Sequence, residues 1–175
     1  QIEGPFYPVD FNVNAGTDLV KNSIQGDVIL IEGQVTDQFG KIVSGAMVEI
    51  WQACHTGRYN HPSDPNPAEL DPDFQYWGKS LTDSFGRYRF KTIIPGEYPA
   101  EEDWKRPPHI HFKVSKPGYA ELITQLYFAG QELNEKDQIL NRLTEKEKKE
   151  LTTELQLYPG ALHPVGVFNI RIKRL

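Results

Sequence analysis

A single cysteine, Cys54, leaves the chain unable to close a disulfide within itself or to build a cysteine-rich zinc site. No stretch approaches the run of about eighteen apolar residues that a membrane-crossing helix needs, so no membrane span is expected. Basic residues are the minority: Lys and Arg total 19 against 24 Asp and Glu, a net charge of -5. They are not clustered, which argues against nucleic acid as a partner, because phosphate binding relies on gathered Lys and Arg. The chain opens on Gln1 rather than Met, so an upstream signal peptide or tail is expected, and a soluble protein of either cytoplasmic or exported placement fits. Proline and glycine, by contrast, are plentiful at 13 and 14, as short strands joined by many turns require. At 175 residues the chain suits one domain, expected over 1–175, with a core that needs no covalent staple.

The periodicity is mostly that of strands. Val28 to Ile31 and Gly33 to Asp37 read as one strand with an irregularity at Gly33, followed by a turn at Asp37-Gln38-Phe39-Gly40. Ala46 to Trp51 is a second strand. Arg87 to Thr92 and His109 to Val114 alternate apolar and polar residues, the mark of a half-buried strand. Leu122 to Phe128 is another, and Phe168, Ile170 and Ile172 alternate near the C-terminus. The stretch His61 to Asp73, rich in Pro, Asp and Asn, is a long loop of the kind that often carries function. A helix is expected from Thr144 to Leu155: Thr144-Glu145-Lys146-Glu147 is a capping-box pattern, and Pro159-Gly160 would stop it. The fold class that follows is mainly β, an antiparallel, prealbumin-like β-sandwich with one or two short helices near the C-terminal part.

The candidate chemistry begins at Arg106-Pro107-Pro108-His109-Ile110-His111-Phe112. Residues two apart on a strand share a face, so His109 and His111 project together while Ile110 and Phe112 turn to the core. Such a pair can chelate zinc, copper, nickel or iron, and two unrelated histidines on a polar face would look the same. Carboxylates are scarce beside the pair. Two tyrosines stand out instead, Tyr59 in Gly57-Arg58-Tyr59 and Tyr98 in Pro95-Gly96-Glu97-Tyr98-Pro99, each in a loop after a strand. A phenol, with an ordinary pKa of about 10, binds a metal well only where a strong Lewis acid such as Fe(III) displaces its proton. Most tyrosines at such positions are amphipathic residues at the edge of a core.

The order of motifs resembles that of the intradiol ring-cleaving dioxygenases, the protocatechuate 3,4-dioxygenase and catechol 1,2-dioxygenase group. The matching segments are Gly4-Pro5-Phe6-Tyr7, Gly45 to Ala53, Gly57-Arg58-Tyr59, Leu81 to Gly86, Thr92 to Pro99, Arg106 to Phe112 and Leu122 to Phe128. The resemblance implies a non-haem Fe(III) cofactor held by Tyr59, Tyr98, His109 and His111, with Tyr59 and His111 equatorial, Tyr98 and His109 axial, and a solvent hydroxide as fifth ligand. It implies that a catechol-type substrate is cleaved with O2 to a cis,cis-muconate-type diacid. Tyr98 would leave the iron and act as a base, Arg106 would stabilise negative charge on the ring, and Gln125 would support the site. Gly4, Pro5 and Tyr7 would line the substrate pocket, within one chain or between identical chains. Cys54, His55, His61 and His163 are left as structural or surface residues.

Against this family pattern the sequence lacks the helical N-terminal region of the catechol enzymes, so a protocatechuate-enzyme-like core or a stand-alone relative is expected, assembled as a homo-oligomer. Ala100 stands where protocatechuate enzymes carry an aromatic residue. Glu101, Glu102 and Asp103 are expected near the pocket mouth, where they would repel a benzoate and disfavour protocatechuate itself. Two other readings fit parts of the pattern: a non-enzymatic prealbumin-like β-sandwich binding module, and a zinc hydrolase using His109, His111 and a carboxylate such as Glu97.

Overall fold

The computed structural model describes residues 3–9, 15–21 and 23–175. Its framework is two open sheets packed face to face. The first is built on β1 (Val28–Asp37), the longest strand. The second is built on β2 (Met47–Trp51) and β3 (Trp77–Leu81). β4 (Arg87–Ile93) pairs antiparallel with β1, and the short β5 (Tyr98–Glu101) and β6 (Trp104–Arg106) form a separate hairpin. β7 (His109–Ser115) and β8 (Leu122–Phe128) extend the second sheet. After two 3-10 turns at Glu132–Lys136 and Leu140–Arg142 comes the helix α1 (Glu145–Leu151), then β9 (Thr152–Thr153), β10 (Val165–Val167) and β11 (Ile170–Ile172). The second sheet runs in the order β3-β2-β7-β8-β9.

Strand alternation builds the core. Ile29, Ile31 and Val35 of β1 and Tyr88 and Phe90 of β4 meet Val48 and Ile50 of β2, Ile110, Phe112 and Val114 of β7, and Leu126 and Phe128 of β8 in one buried cluster. Each such side chain contributes about 1.5–3 kcal/mol by leaving water. The opposite face of the second sheet carries the polar members of the same strands. Register sets Trp51 beside His111 and His111 beside Gln125, with His109 beside Tyr127. One strand period thus feeds both a dry core and a row of functional groups.

Three expectations change. The sandwich is antiparallel at its centre, but β10 and β11 both run parallel to β1, and β9 runs parallel to β8. Gly33 does not interrupt β1. The break lies in its neighbours, where the chain passes from β10 to β11 at Phe168, and a side-chain carbon at Gly33 would stand only 1.8 Å from the Phe168 carbonyl oxygen. The capping box at Thr144 and Glu147 is formed, but the helix ends at Leu151, not Leu155. The β-branched Thr152 and Thr153 are taken up by the free edge of β8, opposite Tyr127 and Phe128.

Candidate metal centre

His109 and His111 stand side by side on the outward face of β7, their ring centroids 4.9 Å apart. His111 stacks on Trp51 with planes 8° apart, which fixes its ring. The Nδ1–H of His109 donates to the Pro107 carbonyl at 2.7 Å, so the neutral ring presents its Nε2 lone pair in the other direction. Both imidazoles are buried. Desolvation, then the nearby Arg106 cation, hold His109 far below the ordinary histidine range and His111 down to about 3. Both are neutral, as metal ligation demands.

The two phenols arrive from loops. Tyr59 follows the tight turn at Gly57, where a side-chain carbon would stand 2.3 Å from the Glu97 carbonyl oxygen and φ is +81°. Only glycine allows this approach, which docks the loop before Tyr59 onto the loop before Tyr98. Asp64 holds the next turn, accepting from the Tyr59 N–H at 2.6 Å and the Asn66 N–H at 2.9 Å. Tyr98 opens β5 and faces Arg106 across the β5–β6 hairpin, so both side chains turn inward together.

The four predicted ligands converge. The Tyr59 hydroxyl lies 3.2 Å from His111 Nε2 and 3.4 Å from His109 Nε2, and the Tyr98 hydroxyl lies 3.4 Å from His109 Nε2. Tyr98, the most exposed of the four, is only 8% exposed. Burial raises the pKa of both phenols, although Arg106 pulls each downward. Two neutral imidazole nitrogens and two phenol oxygens in a dry site suit a hard, highly charged cation, the partner that displaces phenol protons. Among the described residues no cluster of three or more His, Cys, Asp or Glu side chains gathers as a metal site. Glu97, the carboxylate weighed for zinc, pairs instead with Lys105.

Arg106 is 4% exposed, and its Nε and one of its two Nη atoms are held by neighbouring side chains. Its Nε donates to Asp137 Oδ1 at 2.9 Å, and one Nη to Gln125 Oε1 at 2.7 Å, Tyr127 Oη at 3.0 Å and Asp137 Oδ2 at 3.3 Å. Tyr127 also donates to Gln125 Oε1 at 3.0 Å. Gln125, the residue expected to support the site, is thus joined to Arg106. The sequence reading missed Asp137, which lies in a run of polar residues with no motif of its own, and the bond from Tyr127.

A cavity of about 810 Å³ opens beside this centre. Tyr98, Arg106, His111 and Gln125 form its buried end, while Tyr59 and His109 are not part of its wall. Gly4, Pro5 and Phe6 line it from within the same chain. Tyr7 does not: its hydroxyl donates to Glu49 at 3.1 Å and its ring meets Trp51 edge-on. The long loop contributes Asp64 to Pro67. Glu101, Glu102 and Asp103 are exposed at the tip of the β5–β6 hairpin, and none lines the cavity; the mouth carries Glu97 and Lys105 instead.

A protein-family model described as Dioxygenase matches residues 2–161. The chain belongs to the intradiol dioxygenase family. It is 40% identical over 149 residues to the protocatechuate 3,4-dioxygenase beta chain of Burkholderia cepacia, a match covering 80% of this chain and 63% of that one. It is 38% identical over 143 residues to a catechol 1,2-dioxygenase of Candida albicans, covering 73% of this chain and 46% of the relative. The chain thus spans less than two thirds of the length of these relatives. Among solved structures, the dioxygenase domain of a dioxygenase carbohydrate-binding protein fusion from Streptomyces sp. SirexAA-E superposes with a TM-score of 0.77 at 27% identity, over 100% of this chain and 97% of that domain. Family membership favours the enzyme over the binding-module reading.

Proposed function

We propose that residues 1–175 form a single catalytic domain, a non-haem Fe(III) intradiol dioxygenase that opens a catechol-type ring between its two hydroxyl-bearing carbons. Both atoms of O2 enter the product, a cis,cis-muconate-type diacid. The observation that carries this reading is the convergence of Tyr59, Tyr98, His109 and His111 at one buried point beside a committed arginine. The names of the relatives support the reaction class.

Tyr59, Tyr98, His109 and His111 would hold the iron. Bound Fe(III) would supply Lewis acidity, drawing electron density from the chelated diol and making its ring open to attack by O2. The chain supplies the rest. His109 keeps its lone pair directed inward through the Nδ1–H bond to Pro107. Tyr98 is the phenol that lines the cavity, so its oxygen is the one placed to take a proton from an arriving diol hydroxyl. Arg106, fixed by Asp137 and shielded from water, offers a preorganised positive charge where negative charge develops on the ring. Phe6 and Trp104 wall the cavity and limit water at the reacting carbons.

The test is a visible spectrum of the iron-loaded protein before and after anaerobic addition of catechol, then admission of O2 with product analysis. A broad tyrosinate charge-transfer band that shifts with catechol, followed by a diacid containing both oxygen atoms from labelled O2, is expected. Protein that remains colourless after iron reconstitution refutes the reading.

A further inference from the structure

The cavity is far larger than a single-ring diol requires. Sites of about 300–1,000 Å³ hold drug-sized ligands, and this one measures about 810 Å³. A diol anchored at Tyr98 and Arg106 would fill only the buried end. Beyond it much of the wall is apolar, from Phe6, Pro65, Pro67, Ala100, Trp104 and Ile139, with Thr56, Asn66 and a few charged side chains between them.

The charges on those walls decide what a substituent may carry. Among the described residues lining the cavity there are two cations, Arg106 and Lys105, and two carboxylates, Asp64 and Glu97. Arg106 is committed to Asp137. Lys105 is committed to Glu97 in a close ion pair across the hairpin. Each of the two cations therefore has a carboxylate beside it, Arg106 serves the diol end, and a substituent carboxylate also meets the negative charge of Asp64. An uncharged substituent avoids that repulsion and can pack on the apolar part of the wall.

We propose that this site selects uncharged catechols with an extended substituent over carboxylate-bearing ones, and that the Glu97–Lys105 pair is the element that enforces the choice. The inference rests on the dioxygenase function proposed above. Both partners of the pair are about half exposed, with side-chain exposures of 49% for Lys105 and 46% for Glu97. Their attraction is consequently modest and screened by solvent, and removing Glu97 leaves Lys105 free to turn toward a substrate carboxylate.

The experiment compares kcat/KM of the iron-loaded protein for catechol, 4-phenylcatechol and protocatechuate, in the wild type, in Glu97→Gln and in Glu97→Gln with Lys105→Gln. In the wild type 4-phenylcatechol is expected to exceed protocatechuate by about tenfold or more. Glu97→Gln is expected to raise the protocatechuate-to-catechol ratio by about threefold, the scale of one exposed charge pair, and the double variant to return it. Turnover of catechol with protocatechuate equal to or better than 4-phenylcatechol overturns this inference alone. A ratio that does not move in Glu97→Gln overturns the role of the pair. No turnover of catechol itself overturns the dioxygenase reading, and this inference with it.

Discussion

Asp137 is the residue whose loss is expected to be felt most widely. Its side chain is fully buried, and it faces an Arg106 side chain only 5% exposed at 2.9 Å. The carboxylate also accepts the Leu140 N–H at 3.2 Å, closing the second 3-10 turn. Asp137→Ala leaves the guanidinium facing neutral oxygens, those of Gln125 and Tyr127 among them, and no carboxylate partner. Removing one partner of a buried ion pair costs about 3–5 kcal/mol, because the other charge stays desolvated. For a chain of this length each kcal/mol lowers Tm by roughly 2–4 °C, so a fall of about 6–20 °C is expected. Asp137→Asn keeps the shape and one acceptor, and its cost falls between that of alanine and the wild type. The double variant Arg106→Met, Asp137→Leu removes both charges and is expected to recover most of the stability while losing activity. Urea unfolding of the four proteins, with kcat measured on catechol, separates the contributions. An Asp137→Ala cost below about 1 kcal/mol, or a double variant no more stable than Asp137→Ala, would refute the buried-pair reasoning.

Gly57→Ala is expected to cost about 2 kcal/mol or more and to lower iron retention, since a carbon there meets the Glu97 carbonyl at 2.3 Å in a left-handed conformation; full iron content with unchanged Tm would contradict this. Burial holds the Tyr88 phenol well above its ordinary range while its hydroxyl donates to the Phe168 carbonyl. Its contribution is present below pH ~10 and is lost as pH rises from there toward the folded pKa, because only the unfolded state releases the proton; Tyr88→Phe should flatten the stability–pH slope above pH 10 by about 1.4 kcal/mol per unit, and an unchanged slope counts against it. Thr144→Ala removes the cap of α1 and is expected to cost about 1 kcal/mol by urea unfolding, with no change in kcat.

How much of this was legible depends on whether the cause is local. The alternation of β4, β7 and β8 is written in adjacent residues, and so is the common face of His109 and His111. The capping box at Thr144 is equally local and was found, but the end of the helix was not, because it is decided by the free edge of β8 waiting for Thr152 and Thr153. Tyr59 and Tyr98 carry no local signal that separates a ligand from an ordinary core-edge tyrosine. Only the order of the surrounding motifs singled them out. Tyr7 lies in such a motif yet turns to Glu49 rather than to the cavity, because the direction of a side chain in an irregular segment has no period to read. Asp137 and the Glu97–Lys105 pair depend on contacts across loops and a hairpin turn, and nothing near them in the sequence marks them.

The same burial that makes the four donors neutral also narrows which cation they can serve. Holding a metal through Tyr59 and Tyr98 means releasing two protons from phenols whose pKa burial has already raised, a cost that grows as the site becomes drier. A trivalent ion with two phenolates would leave one positive charge in the site, and a diol held as its dianion, with one of its two protons taken by Tyr98 and the other released to solvent, would bring the centre to neutrality. A divalent ion in the same place starts neutral and would end with a net negative charge far from water. The neighbouring charges do not change this count, because Arg106 is balanced by Asp137. Low dielectric penalises any uncompensated charge steeply, so the pairing of Arg106 favours the trivalent ion as well as aiming the guanidinium.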